Sequence, residues 1–519
     1  MLKRIIISVI SLVMILPLVA CDPMEFIDSM TATGETTTSL TATTKTTTYT
    51  TTADPNANKP TVEGGYDGPL EHLHGLNFGG KPVTFALAGA KNDDYHIRSI
   101  WVDAESAEGD FVDRAIYERN QRIEKDLGVT IKVIYEENIS ISQSPIKTLL
   151  LGGSTEFDVI AGYQCGDIGL VLKGVMEDLN KLEERGGDYI KWESEYWDSA
   201  YTKALDCGTK RFWLAGDLCL RMTAGCHCMF VNSRLYDSIL APEYGSIYDV
   251  VKNKEWTYDK LIEMVEKSNG DVKLDPDLEC ALALPNWDNT NAMATSAGVC
   301  LTRYAAGGVP HSYFNSENEA LFEFMSKHRE LLNTKGVYYP STDSLSFSDE
   351  AVKNFSANKS IFVTGTLDHT QLYLRDMKDP YYVIPHPMLN SEQEGYRTGV
   401  YDGINIYGIN YSSENVPAAA ATLELLAYES YYNVRQVLWE DMVHKDDSSR
   451  EQTLEMIALI RNSVYTDPVI LWQYSPEMDR LGFFLRDNVL ADNFKISQGR
   501  ADKWEAGIVG IFEEINAIK

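Results

Sequence analysis

Short apolar runs alternate with amphipathic stretches over most of the chain, beginning with the β-rich run Val83 to Leu87, to which Gly79, Lys81 and Pro82 lead in. Val112, Ile116, Ile123 and Leu127 then recur at helical spacing, which predicts an amphipathic helix that Gly128 ends just past its last turn. A strand is predicted at Val129 to Tyr135, a short helix around Ile146 to Leu151 closed by Gly152 and Gly153, and a strand at Phe157 to Ala161. That βαβαβ order favours a parallel sheet, because the helices supply the crossovers. Ligands of open parallel sheets sit beyond the carboxyl ends of the strands, so the loops after Leu87 and Ala161 are the first places where a site is expected. Later, Cys228 to Asn232 and Ile361 to Val363 read as strands and Cys280 to Leu284 as a further apolar stretch, while Thr257 caps a helix carrying Leu261, Ile262 and Val265. Trp256, just before that cap, is expected to be structural.

The amino-terminal end has a different pattern. Lys3 and Arg4 precede an apolar run from Ile5 to Leu16 that is too short and too early to span a bilayer, and Leu18, Val19 and Ala20 lead to Cys21. This resembles a bacterial lipoprotein leader, residues 1–20. The resemblance implies cleavage before Cys21, lipidation of its sulfur, and anchoring at the outer face of the plasma membrane, with two acyl chains holding far more firmly than one. Residues 31 to 52 are mostly Thr and supply little apolar surface, so 21–78 reads as a disordered, lipid-anchored linker. Beyond the leader, the sequence has no apolar run long enough to cross a bilayer, which leaves the lipid as the expected membrane contact.

A formal net charge of -30 argues against nucleic acid or anionic lipid as the partner and suits solubility. Besides Cys21 there are Cys165, Cys207, Cys219, Cys226, Cys228, Cys280 and Cys300, an odd set, so at least one thiol stays unpaired within a monomer. Cys219, Cys226, His227 and Cys228 lack the spacing of a zinc knuckle, and Cys226 and Cys228 share one face of a strand, where reduced cysteine acts as a small hydrophobe; no metal is expected.

Residues 79–519 are enough for two lobes rather than one core. In order along them stand Glu124 to Val133 (EKDLGVTIKV), Glu156 to Ala161 (EFDVIA), Gly174 to Leu182 (GVMEDLNKL), Phe230 to Leu235 (FVNSRL) and Glu255 to Leu261 (EWTYDKL). Lys359 to Leu367 (KSIFVTGTL), Val383 to Pro387 (VIPHP), Gly395 to Thr398 (GYRT) and Pro417 to Tyr428 (PAAAATLELLAY) follow. The series resembles the extracellular solute-binding proteins of ABC importers, and its second half the carbohydrate-type branch found in clostridial lipoproteins. The resemblance implies an α/β, type II-like, two-lobed periplasmic-binding-protein (Venus flytrap) fold with hinge strands, a carbohydrate ligand, ABC permease subunits as partners, a monomer and no cofactor. It places hinge crossings near Met229 to Asn232 and Gly403 to Asn410, with a return around Tyr465 to Trp472. Lobe one would be 79–229 plus 411–464, and lobe two 232–402 plus 465–519.

Sugar binding needs aromatic faces for the apolar side of a pyranose and planar polar groups for its hydroxyls. Tyr163 and Gln164 follow the strand ending at Ala161, with Asp167 as the nearby carboxylate. Trp287, flanked by Asn286 and Asp288, follows the apolar stretch ending at Leu284, where sugar-binding relatives commonly place a stacking aromatic. Gly365 and Thr366 stand where relatives carry Gly before a ligand-facing Trp; this chain has Leu367, Asp368 and His369 there, which removes one stacking platform and argues against a linear maltodextrin. Asp217, Tyr401 and Asp402 complete the expected site. The sequence contains no G-x-S-x-G elbow, H-E-x-x-H helix or phosphate-cradling Gly-Lys loop, so a binding protein is expected rather than an enzyme. The same cleft would serve a sensor that signals to a membrane receptor, or a glycan-active enzyme.

Overall fold

The first stretch of the chain folds as its apolar spacing dictates: β1 (Lys81–Ala88), the helix Phe111–Leu127, β2 (Val129–Glu136), the helix Pro145–Leu151 and β3 (Val159–Tyr163) follow in that order. This computed structural model describes residues 68–88, 102–104, 106–138, 140–271, 279–285, 289–305, 308–339, 346–478, 484–485, 487–488 and 494–518. The leader, Cys21 and the threonine-rich segment lie outside the described residues, as do Asn286, Trp287 and Asp288. β1 pairs in parallel with β2 on one side and β3 on the other, the pairing that helical crossovers impose. Asp110 caps the helix Phe111–Leu127 through the N–H groups of Val112 and Asp113, and Gly128 ends it in the left-handed conformation at φ 59°. The helix buries the expected Val112, Ile116, Ile123 and Leu127 and, with them, Arg119 and Asn120.

β3 starts at Val159 rather than Phe157, and Asp158 is the reason. Its N–H donates to the Thr84 carbonyl at 2.8 Å, while its carboxylate accepts the Thr84 N–H at 2.9 Å and the Ser413 hydroxyl at 2.6 Å. A side chain thus stands in for a strand carbonyl, and the ladder begins with Val159 opposite Phe85. The strand runs on to Tyr163, which becomes its last residue instead of a loop residue.

The later strands are β4 (His227–Asn232), β5 (Cys280–Ala283), β6 (Thr302–Tyr304), β7 (Pro310–Ser312), β8 (Val337–Tyr338), β9 (Ser360–Thr366), β10 (Tyr381–Ile384) and β11 (Asn405–Ile409). One sheet has the order β2-β1-β3-β11, and Leu214 bridges Tyr407 of β11. The other has the order β8-β5-β9-β4-β10, and β6 pairs with β7 apart from both. In each large sheet the fourth strand is antiparallel to the third. Both of these strands are exchanged: β11 enters the first sheet after the chain has built the second, and β4 enters the second directly after the first. The chain therefore forms two α/β lobes, neither continuous in sequence.

Between the sheets, three segments run side by side. Cys226 bridges Val400, and the N–H groups of Tyr401 and His227 donate to the Gly225 and Gly399 carbonyls at 2.8 and 2.9 Å. Thr398 in turn bridges Val464, with its N–H on the Ser463 carbonyl at 2.8 Å and the Tyr465 N–H on its own carbonyl at 2.9 Å. These connections lie upstream of the stretches marked by the sequence, because β4 and β11 are full members of the sheets.

The helix Arg450–Asn462 packs on β10. Its Ile457 and Ile460 join Leu438, Val383, Phe230, Cys226 and Cys228 in an apolar cluster that also takes in Val112 and Ile116 of the first lobe. Cys219 lies in the other apolar cluster, where its Sγ accepts the Asn405 N–H at 3.4 Å. Burial pushes the Cys226 thiol up to about 12 and Cys228 well above its ordinary value, so both remain protonated apolar side chains. Trp256 is fully buried, stacks on Phe362 with ring centroids 6.1 Å apart, and donates from Nε1 to the Pro385 carbonyl at 2.9 Å.

Candidate functional site

At the carboxyl end of β3, next to the crossing segments, Tyr163, Gln164, Tyr401 and Asp402 come together. The link is backbone: the Gln164 N–H donates to the Ile404 carbonyl at 3.0 Å, drawing the start of β11 against the end of β3. The Tyr163 and Tyr401 rings then flank Gly403. A Cβ built at Gly403 would lie 2.4 Å from Tyr401 Cε1 and 3.2 Å from Tyr163 Cε2. Tyr401 and Asp402 are half-buried, whereas Tyr163 and Gln164 are buried.

Neighbours that local patterning does not reveal hold this group in place. Arg221, from the short turn of helix Arg221–Ala224, sets its guanidinium 4.8 Å from the Tyr401 ring centroid, a cation–π contact. Tyr201 donates its hydroxyl to Gln164 Oε1 at 2.5 Å, Cys165 Sγ donates to the Asp402 carbonyl at 3.2 Å, and the Tyr474 hydroxyl donates to the Asp402 carboxylate. Burial raises the Tyr163 phenol well above its ordinary value; Cys165, Tyr401 and Asp402 add to the shift and the Arg221 cation opposes it. Tyr163 therefore stays a neutral aromatic. The only sequence signal for Arg221 is a lone cation in the apolar run Leu218 to Cys226. Tyr201 and Tyr474 have none, since their partners lie far along the chain.

Two expected carboxylates are occupied within the protein. Asp167 accepts from the Ser140 hydroxyl at 2.7 Å and from the N–H groups of Ile141, Ser142 and Tyr163 at 3.0, 2.7 and 2.8 Å. Burial raises its pKa and these hydrogen bonds oppose the rise. It fixes Tyr163 from behind. Asp217 accepts from Arg461 Nε at 3.0 Å, a terminal Arg435 nitrogen at 3.1 Å and the Thr223 hydroxyl at 3.2 Å.

Thr366 ends β9 opposite His227, and its hydroxyl donates to Asp368. The Asp368 and Leu367 N–H groups donate to the Ala224 and Cys226 carbonyls at 2.8 and 3.0 Å, so this pair borders the first crossing from the second lobe. Taken together, two phenol rings, an amide, a guanidinium and a carboxylate are gathered beside the crossing segments.

No family model matches the sequence, and no curated protein matches it. Among solved structures, the chain is similar to the galacto-N-biose/lacto-N-biose I-binding protein of the ABC transporter from Bifidobacterium longum in complex with lacto-N-biose. The two share 12% identity with a TM-score of 0.51, over 85% of this chain and 98% of that one. It is also similar to the ABC transporter associated binding protein from B. animalis subsp. lactis Bl-04 in complex with β-1,6-galactobiose, at 14% identity and a TM-score of 0.48 over 85% of this chain and 99% of that one. At 12% identity the likeness to the first of these is one of fold. With the strand exchange between its sheets, it makes the chain a two-lobed α/β protein of the periplasmic-binding-protein fold.

Proposed function

We propose that this chain is the substrate-binding protein of an ABC importer, which captures a carbohydrate between its lobes and delivers it to permease subunits. The observation that carries this reading is the meeting of Tyr163, Tyr401, Asp402, Gln164 and Arg221 at the segments joining the lobes. The fold and the glycan complexes of the similar structures support it. The lobes are taken to meet at the side-by-side segments around Cys226, Val400 and Val464 rather than at the stretches marked by the sequence, and Asn286, Trp287 and Asp288, which lie outside the described residues, are proposed as further ligand groups. Ligand shifts the equilibrium between open and closed forms only by as much as it favours the closed one, so contacts from both lobes are required. The protein is a monomer without cofactor or catalytic residue, tethered at the cell surface through lipid on Cys21.

A thermal-shift screen against mono- and oligosaccharides, short peptides and polyamines tests the reading, because a ligand that binds only the native state raises the melting temperature. A rise with a glycan that is recovered unchanged supports it. A rise with peptides or polyamines alone, or conversion of the glycan to products, refutes it. Partition of the full chain into detergent, lost in Cys21→Ser, checks the anchor.

A further inference from the structure

Resting on that reading, we propose that Gly403 is a positioning residue that sets the place of the Tyr401 ring in the binding site, so that the ring moves with the hinge segment that carries it. Tyr401 belongs to the crossing itself, since its N–H holds the Gly225 carbonyl at 2.8 Å and its neighbour Val400 bridges Cys226. The ring is then fixed from two sides. On one, the Arg221 guanidinium lies 4.8 Å from its centroid. On the other, it rests on the bare α-carbon of Gly403, so closely that a methyl group there would sit 2.4 Å from Cε1, far inside van der Waals contact.

The intervening residue cannot swing aside to relieve such a clash. Asp402 is pinned at its carbonyl by Cys165 Sγ at 3.2 Å and at its carboxylate by the Tyr474 hydroxyl. Any side chain at 403 must therefore displace the Tyr401 ring or the Tyr163 ring, whose Cε2 would be 3.2 Å away. Gly225, on the antiparallel crossing segment, is limited differently: a Cβ there would meet the Arg221 carbonyl oxygen at 2.8 Å as well as Tyr401 Cβ at 3.4 Å. Substitution at 225 would disrupt backbone, whereas substitution at 403 acts on side chains that can move. Gly169 has nothing within 4 Å of the same construction and serves as the control.

The test compares Gly403→Ala with Gly169→Ala in the full chain. Titrations use lacto-N-biose, maltotriose and β-1,6-galactobiose as probes, with crystal structures of both variants. Expected are a loss of about tenfold or more in affinity for any probe the unaltered protein binds, a Tyr401 ring displaced from its place over residue 403, and no change in Gly169→Ala. In the Tyr401→Ala background, Gly403→Ala should cost much less melting temperature than it does in the unaltered chain, because the 2.4 Å clash is removed and only the 3.2 Å approach to Tyr163 remains, and affinity should not return. A Gly403→Ala protein with unchanged affinity, or with the Tyr401 ring unmoved, overturns the proposal. If none of the probes binds the unaltered protein, the glycan found by the thermal-shift screen replaces them, and only failure of that whole screen is failure of the carbohydrate reading; the ring position and the melting comparison decide the role of Gly403 in either case.

Discussion

The guanidinium of Arg461 and the carboxylate of Asp217 meet at 3.0 Å, with the two side chains only 7% and 1% exposed. Arg461 reaches on to Asp198 at 2.7 Å, and Arg435 closes on the other Asp217 oxygen at 3.1 Å, beneath the Tyr431 ring 3.6 Å away. Arg461 belongs to the helix that packs on β10, while Asp198 and Asp217 precede the first crossing. The cluster therefore ties the helix that leads into the third crossing to the residues that lead into the first, which is why Asp217 serves the scaffold.

Arg461→Met should be strongly destabilising, because it leaves two buried carboxylates short of their counter-charge; a loss of about 3–5 kcal/mol is expected. Adding Asp217→Leu should not restore the loss, because Arg435 then gives up its own carboxylate partner and Asp198 stays unpaired. Denaturant melts of the single and double variants check this. Asp217→Asn, if folded, should bind glycan as the unaltered chain does; a loss of affinity without a loss of stability would return Asp217 to the ligand site.

Asp167 makes a related case at the other end of the site. Truncation to Ala strands the Ser140 hydroxyl and the N–H groups of Ile141 and Tyr163 together, while the Ser142 N–H keeps Ser140 Oγ at 3.2 Å, and each unsatisfied buried group costs about 1–3 kcal/mol. The expected outcome is a lowered melting temperature accompanied by weaker ligand binding, since Tyr163 loses its anchor. An Asp167→Ala protein of unchanged melting temperature would contradict the hydrogen-bond assignment.

Much of this fold is legible in the sequence because it is written in short-range periodicity. The apolar positions of β1 and β2, the stripe Val112 to Leu127 and the cap glycine Gly128 are local signals with local causes. The start of β3 was hidden because Asp158 substitutes a side chain for a strand carbonyl, a contact made with Thr84 and Ser413 far away in the chain. Arg119 and Asn120 look like a polar helix face; instead they are buried against the Val102 carbonyl and each other, which no periodicity reports. The site divides the same way. Tyr163 stands out as an aromatic after a strand and Tyr401 as one just before the second hinge crossing, whereas Asp167 and Asp217 look alike in sequence whether a carboxylate faces a ligand or three or four interior donors. Arg221, Tyr474 and Gly403 matter only through partners brought by the strand exchange.

Tyr401 should separate binding from stability. It is half-buried and makes its defining contacts with Arg221 and Gly403, so Tyr401→Ala removes a stacking face of about 0.5–1.5 kcal/mol beyond its area, roughly a tenfold loss in affinity, with little change in melting. Tyr401→Phe should keep most of the affinity. Calorimetric titration with the glycan found by thermal shift checks both, and equal affinity in Tyr401→Ala would remove the ring from the site.

Acid should weaken this protein through two buried histidines of the second lobe. His386 donates from Nε2 to the Cys228 carbonyl at 2.9 Å, and His328 holds the Tyr258 hydroxyl at 3.1 Å while stacking on Phe324 at 5.2 Å. Burial lowers both imidazoles from 6.5 to about 3, with His227 adding to the effect at His386. A depressed pKa means that the unfolded chain takes up a proton below pH 6.5 that the folded chain refuses until about 3. The contribution to stability is complete above the upper value and drains away as the pH falls, by about 2 kcal/mol per histidine at pH 5. Asp167 and Asp467 act in the opposite sense: burial raises their pKa values above 3.8, so they favour the folded state more as they become protonated. The melting temperature measured from pH 7.5 down to 5 will therefore sum opposing slopes, and the comparison with His386→Gln isolates one of them. The variant should start lower, for want of the imidazole packing, and lose less on acidification. Parallel pH profiles for the two proteins would mean that His386 is charged in the folded state, in conflict with its burial.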